Sequence, residues 1–207
     1  ESVKAPNLDA IFRLFEVSLS STYSVAWIDC LAKGKAMGRS ILMRGEHAAL
    51  DELKGAKIKL NSQNNTRFNV PFFFPGFVLN SWSVKAFNQV YYHKQLTTYN
   101  RKLQDYDAFF YPLDSILHWN RIYGKNGFTQ FQCAFPLEHS EAGLKEILEL
   151  TNKSGQGSFL AVLKKLGKSD DLAVNSFPIE GYTLALDFKI TAVLVPFLKR
   201  LDQIVLK

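Results

Sequence analysis

Two glutamines placed two residues apart, Gln130 and Gln132, have the types and the spacing to do chemistry. They lie in segment 128–135, where side chains of different character alternate, and this period of two predicts a strand. On a strand both amides project from the same face. Because buried amides require hydrogen-bond partners, the pair is either one solvated strand face or a site that grips a polar ligand.

A lysine stands near the end of a second predicted strand, at 158–166. Lys164 follows the otherwise apolar run 159–163, and an ammonium group in that position is suited to hold a phosphate or to polarise a hydroxyl. The alternative is a strand-end lysine whose charged head simply reaches solvent. The next residue, Lys165, is expected to be an exposed neighbour.

Other kinds of catalytic site find little support in the sequence. None of the histidines pairs with another ligand at helical spacing, so no metal site is predicted. No GxSxG elbow or Cys/His signature is present, and no GxGxxG pattern opens a βαβ unit to hold a dinucleotide. Cys30 and Cys133 are predicted to be buried free thiols. The four histidines are His47, His93, His118 and His139.

The composition is that of a globular protein, with 207 residues, 47% hydrophobic and 21% charged. The net charge of +6 suits a phosphate-bearing ligand, another polyanion or an anionic membrane surface. No apolar run approaches the roughly 20 residues that a membrane-spanning helix needs. Neither a secretory signal nor a lipidation motif is visible.

The predicted elements place the chain in the α+β class, with an antiparallel sheet and helices on one face. In the second half we predict a helix capped by Ser140 and closed by Gly155, and a last helix with Pro196 in its first turn. The element order of the second half, βαββα, lacks the final strand of a ferredoxin-like βαββαβ unit. We therefore expect the domain to continue beyond residue 207. The strands predicted there are 128–135, 158–166 and 182–188.

The first half is less regular in its predicted elements. Asn7 is expected to cap a first helix, and a second helix is expected to begin near Trp82. Trp27 is placed in the middle of a strand. Two polar segments are expected to be surface loops. The strands predicted in this half are 25–31 and 40–43, and the polar segments are 48–68 and 168–175.

Four blocks of the sequence, taken in order, resemble one family of enzymes. The blocks contain Tyr-Pro-Leu-Asp, Trp-Asn-Arg and Gln-Phe-Gln, together with Ser-Ala-Trp-like, Ser-Phe-Leu and Ser-Phe-Pro-Ile segments. They resemble the substrate domain of decaprenylphosphoryl-ribose oxidase-like FAD-linked oxidoreductases, which are flavoproteins of the vanillyl-alcohol-oxidase type. The blocks are Tyr23–Asp29, Tyr111–Gln132, Ser158–Lys164 and Ser176–Tyr182.

This resemblance implies that residues 1–207 form the substrate-binding domain of a bacterial FAD-dependent oxidase. The family oxidises a secondary hydroxyl of a sugar or a polyprenyl-phosphoryl sugar by transferring hydride to the flavin. The FAD-binding domain is then expected before residue 1, and this chain alone is expected to be inactive. The resemblance also implies cell-envelope biosynthesis, a cytoplasmic or envelope-associated location, and a short-chain reductase as a partner enzyme.

The resemblance also assigns roles to individual residues. Lys164 matches a catalytic lysine that lines the family's substrate pocket, and Trp27 matches an aromatic residue packed near flavin and substrate. The remaining pocket positions that match are Gln130, Gln132, Leu160, Val162, Thr183 and Ala185.

Three positions depart from the family pattern. Ala185 stands where the family often has cysteine, Thr183 where it has asparagine, and Leu166 where it has phenylalanine. We therefore expect a remodelled pocket. Two alternatives stay open: an aldonolactone oxidase domain of the same superfamily, and a non-enzymatic basic module that binds nucleic acid. The second is disfavoured, because most aromatic residues fall on apolar periodic faces rather than among the basic residues.

Overall fold

A computed structural model describes residues 1–53, 68–168 and 179–207. The predicted surface loops 48–68 and 168–175 lie mostly outside these ranges, as do the first three residues of the Ser176–Tyr182 block. The α-helices are α1 (Leu8–Glu16), α2 (Ser81–His93), α3 (Tyr106–Phe110), α4 (Leu137–Ser154) and α5 (Leu194–Val205). The strands are β1 (Ser2–Ala5), β2 (Tyr23–Ile28), β3 (Ser40–Gly45), β4 (Phe68–Asn69), β5 (Tyr99–Asn100), β6 (Ile116–Leu117), β7 (Phe128–Pro136), β8 (Ala161–Leu166) and β9 (Gly181–Lys189).

Seven strands form the main sheet, in the order β5-β1-β3-β2-β8-β9-β7, and each pairing is antiparallel. The predicted α+β class with an antiparallel sheet is confirmed. The two halves of the sheet repeat one pattern, because β1-α1-β2-β3 and β7-α4-β8-β9 both place their third strand between the other two. The two repeats meet where β2 pairs with β8. The ferredoxin-like assignment of the second repeat stays a prediction.

One face of the sheet carries the core. The buried apolar residues of α1, α4 and α5 pack against Ile28, Leu42, Leu163, Leu184 and Leu186 of the strands. Burying such side chains is the dominant stabilising contribution. The opposite face carries polar residues. Helix α2 packs against this face near Trp27 of β2, through the ring of Tyr91. Among the described residues no helix is long and apolar enough to cross a membrane.

Three local predictions concern helix ends. The Asn7 side chain caps α1 by accepting from the amide of Ala10, and Gly155 ends α4 at φ 71°, as predicted. The Ser140 cap was wrong, because α4 already begins at Leu137. Ser140 is buried in the first turn and donates its hydroxyl to the carbonyls of Phe135 and Pro136, so it ties the helix to β7.

Candidate functional site

One row of directly paired residues crosses four strands of the sheet on its polar face. Trp27 of β2 stands opposite Val162 of β8, which stands opposite Ala185 of β9, which stands opposite Gln132 of β7. Residues directly opposite each other in adjacent strands project from the same face. The register therefore brings these four predicted site residues together.

The rows on either side hold the other predicted site residues. Lys164 stands opposite Thr183 on one side. On the other side Gln130 stands opposite Asp187, whose backbone amide donates to the carbonyl of Leu160. By strand register and alternation, all eight residues predicted for the pocket belong to one face of the sheet. Their roles toward a substrate stay predictions.

The two adjacent lysines of β8 project from opposite faces. Lys164 is exposed on the polar face and, in the described part of the chain, forms no ion pair or hydrogen bond. Lys165 lies on the helix face, where its Nζ is 2.6 Å from the Glu16 carboxylate and its side chain is only 13% exposed. The expectation that Lys165 is an exposed neighbour was therefore wrong.

Both glutamines are hydrogen-bonded to β9. Gln130 donates from Nε2 to Oδ1 of Asp187 at 2.8 Å. Gln132 donates from Nε2 to the hydroxyl of Thr183 at 3.2 Å, and that hydroxyl donates to the carbonyl of Cys133 at 2.9 Å. The glutamine side chains are exposed, whereas their two partners are buried. Each amide is therefore fixed at its inner end and open to solvent at its outer end.

Asp187 is a buried carboxyl group on the polar face, with an exposed fraction of 1%. Burial raises the pKa of Asp187, and the hydrogen bond from Gln130 opposes that shift. Beneath it lies Tyr123, whose hydroxyl is buried and has no hydrogen-bond partner within the described residues. Burial raises the pKa of Tyr123, and the charge of Asp187 adds to the effect.

Aromatic rings cover this end of the polar face in a continuous series. Tyr123 stacks on Phe128 with ring centroids 4.5 Å apart, and on Phe159 at 5.5 Å. Phe87 of α2 contacts both Phe159 and Tyr91 and so extends the series. The ring of Tyr91 in turn lies 4.6 Å from that of Trp27. The Trp27 indole donates to the carbonyl of Phe159 at 3.1 Å. The series shields Asp187 and leaves Gln132, Val162 and Lys164 at the open end.

A cavity of about 640 Å³ adjoins Trp27 on the same face. Its floor includes Ile41, which stands opposite Trp27, and its wall includes Tyr91. Lys94 lies over the Tyr91 ring at 3.7 Å, and burial, helped by the charge of Lys102, lowers the pKa of Lys94. The cavity thus lies beside the site and carries both cationic and carboxylate side chains.

Sequence reasoning assigned no role to Asp187 or to Tyr123. The signal for Asp187 was its period-two position with Thr183 and Ala185 on β9. No sequence signal shows which glutamine it faces, because that depends on the register between β9 and β7. Among the described residues there is no group of His, Cys, Asp and Glu able to hold a metal.

Comparison with known proteins agrees with the motif resemblance. No family model matches the chain. Over 188 residues, 90% of its length, the chain is 37% identical to decaprenylphosphoryl-beta-D-ribose oxidase of Mycolicibacterium smegmatis. The chain is similar to part of this oxidase. It spans 40% of the oxidase's length, so the resemblance to a portion of decaprenylphosphoryl-beta-D-ribose oxidase is confirmed.

Proposed function

We propose that this chain is the substrate-binding part of an FAD-dependent oxidoreductase. Its substrate would be a sugar or a polyprenyl-phosphoryl sugar with a secondary hydroxyl that is oxidised. The observation that carries the proposal is the 37% identity to decaprenylphosphoryl-beta-D-ribose oxidase across 90% of the chain. The exposed polar face with Gln130, Gln132 and Lys164 supports it, because sugar hydroxyls require such hydrogen-bonding groups.

The side chains divide the work of holding a substrate. Val162, Ala185 and the edge of Trp27 form an apolar floor on which a sugar ring can lie. The two glutamines rise from one side of this floor. Lys164 rises from the row beside it, where its ammonium group can form a charge-assisted bond to a substrate oxygen. Holding the substrate in one orientation is itself a large part of catalysis.

The described residues do not form a dinucleotide cradle. In the glycine turn before β7, a side-chain carbon at Gly124 would lie 3.0 Å from the carbonyl oxygen of Phe74, whereas Gly127 borders open space. Since the sequence has no GxGxxG pattern opening a βαβ unit, FAD would be held by residues outside this chain. When bound, it supplies the acceptor for the hydride that leaves the substrate carbon. The residues of this chain bind and orient the substrate.

The cavity beside Trp27 suits the charged portion of a longer substrate. Lys94 and Lys102 line it together with the apolar side chains of Ile41 and Met43, and carboxylate side chains, including Glu52 and Asp105, line it as well. A phosphate attached to an apolar chain would use the two lysines and the apolar residues. A free sugar would leave most of this cavity unused.

A second candidate is the oxidation of an aldonolactone. The observation in its favour is the altered pocket, where Thr183 and Ala185 stand in place of the asparagine and cysteine that the resemblance implies. A smaller substrate without a prenyl-phosphate would use the glutamines and Lys164 but leave the cavity empty.

Anaerobic reduction of the flavin in the longer, FAD-containing protein tests both candidates. Loss of the flavin absorbance on addition of a polyprenyl-phosphoryl ribose would support the main proposal. Reduction by an aldonolactone alone would favour the second candidate. Reduction by neither compound, in a preparation whose flavin is still reduced by dithionite, would contradict both.

A further inference from the structure

We propose that strand β9 fixes the direction of both glutamine amides, so that Gln130 and Gln132 present two carbonyl oxygens to a ligand. Asp187 and Thr183 are then positioning residues. The direction of the amides follows from their contacts alone. The identity of the ligand as a sugar rests on the proposed function.

The direction of Gln130 is set by charge. An ionised carboxylate can only accept hydrogen bonds, whereas an amide offers an accepting oxygen and a donating nitrogen. With Asp187 at 2.8 Å, the nitrogen of Gln130 must face inward. Amide orientations are assigned from such networks, and a carboxylate leaves one choice. The oxygen of Gln130 therefore faces the open side.

The direction of Gln132 is set by a hydroxyl whose single proton is already used. Thr183 donates that proton to the carbonyl of Cys133, at 2.9 Å between oxygens. Toward Gln132 the hydroxyl can therefore only accept, so the nitrogen of Gln132 faces inward at 3.2 Å. Its oxygen faces outward, like that of Gln130. Two different chemical groups on β9 thus impose the same direction.

The buried hydroxyl of Tyr123 reinforces this arrangement. Within the described residues it has no partner, yet it lies close enough to Asp187 to feel its charge. A buried donor without a partner is costly. The second oxygen of Asp187 is a suitable acceptor for that proton through one bridging water. Such a bond would keep the carboxylate in place while its first oxygen holds Gln130.

The arrangement defines what the face recognises. Residues two apart on a strand are separated by roughly 7 Å, so the face offers two acceptors at about that spacing. Acceptors bind hydroxyl donors and do not bind ether or ketone oxygens. A polyol is therefore the matching class of ligand. A product in which one of these hydroxyls has become a ketone loses a hydrogen bond and is released more readily.

Nuclear magnetic resonance of the isotope-labelled chain tests the direction of the amides without any ligand. The side-chain amide signal of Gln130, assigned with Gln130→Met, should shift with pH in step with the carboxyl carbon of Asp187. Asp187→Asn should abolish this shift. The signal of Gln132 should change in Thr183→Val and return to its position in Thr183→Ser. A Gln130 signal that stays constant while the Asp187 carbon titrates would overturn the proposal.

Binding of two probes tests the consequence. The probes are methyl β-D-ribofuranoside and its fully O-methylated form, which keeps every oxygen but has no hydroxyl donor. We expect the methylated probe to bind about ten-fold or more weakly, as two lost hydrogen bonds imply. Equal binding of the two probes would overturn the proposed direction. If neither probe binds while the Gln130 signal follows Asp187, the direction stands and the proposed sugar site fails.

Discussion

Lys164 and Lys165 are adjacent in the sequence but lie in different environments, and of the two only Lys164 lies on the face proposed to bind a substrate. Replacing Lys164 with methionine keeps most of its apolar stem and removes its charge. In the FAD-containing protein we expect Lys164→Met to slow flavin reduction by about 30- to 1000-fold, since one charged contact in a water-poor site contributes roughly 2 to 4 kcal/mol. Stopped-flow absorbance under anaerobic conditions measures this rate.

The matched control for this experiment is Lys199→Met. Lys199 is exposed on α5, on the other side of the sheet, and forms no ion pair with the described residues. Its replacement should leave the reduction rate unchanged. Lys165→Met is unsuitable, because it would break the contact with Glu16 that fixes α1 to β8. Equal rates for Lys164→Met and the unmodified protein would show that Lys164 is only a solvated strand-end residue.

Asp187 should make the stability of the chain depend on pH. Its pKa is raised by burial in the folded state, so the folded protein holds this proton at pH values where the unfolded chain has released it. The corresponding stability is fully present below the usual aspartate range and is lost as pH rises through the folded pKa. Urea unfolding from pH 3 to pH 7 (roughly the range that brackets carboxyl titration) should show this loss.

The comparison variant for this prediction is Asp187→Asn, which has nearly the same shape and no titration. Relative to it, the unmodified chain should become less stable as the pH rises. Glu16 should act in the opposite direction, because the hydrogen bond from Lys165 lowers its pKa. Parallel pH profiles for the unmodified chain and Asp187→Asn would show that this carboxyl is not perturbed by folding.

Sequence reasoning succeeded where a property depends on one strand and failed where it depends on two. The period of two put Gln130 with Gln132, and Thr183 with Ala185, because alternation is a property of a single strand. That Asp187 holds Gln130 depends on the register between β9 and β7, which no local pattern encodes. The environment of Lys165 likewise depends on α1, which lies 149 residues away in the sequence.

At the scale of elements, the junction of β2 and β8 joins the two repeats through a short register. It has two registered pairs, whereas β7 and β9 have nine. Trp27 strengthens the junction through the bond from its indole N–H to the carbonyl of Phe159, and its ring also packs at a tilt against Tyr91 of α2. Trp27→Phe keeps an aromatic ring but loses the N–H donor. It should lower the free energy of unfolding by about 1 to 3 kcal/mol, measured by urea denaturation.

Trp82→Phe provides the matched control, because Trp82 is 79% exposed. An exposed substitution of this kind should change the free energy of unfolding by less than about 0.5 kcal/mol. A Trp27→Phe variant as stable as this control would mean that the junction depends on neighbouring strands rather than on the tryptophan.

Element positions were predictable where a cap or an alternation marked them. Asn7 and Gly155 fixed two helix ends, whereas Ser140 misled because a buried serine that bonds back to β7 resembles a cap in sequence. Strand β1 was missed, since its four residues are too short to show a period. Its pairing with β3 supplies the stability that its own sequence does not.

At the scale of the whole molecule, two repeats of one strand order build a sheet with two unlike faces. Helices α1, α4 and α5 cover one face, and the other keeps the polar row from Gln132 to Trp27 accessible. The outer edge of β7 has no partner strand among the described residues. On the proposed function, this architecture would present a substrate-binding face and leave the flavin to another part of a longer protein.

The last prediction follows from that division of labour. The isolated chain, mixed with an excess of FAD and passed through gel filtration, should elute colourless, because no glycine-rich loop in it cradles a dinucleotide. The longer protein, treated in the same way, should retain the yellow absorbance bands of its flavin. The ratio of visible to ultraviolet absorbance in the protein peak measures the flavin content. Stoichiometric flavin on the isolated chain would place the cofactor site within these 207 residues and would contradict the assignment of this chain to substrate binding alone.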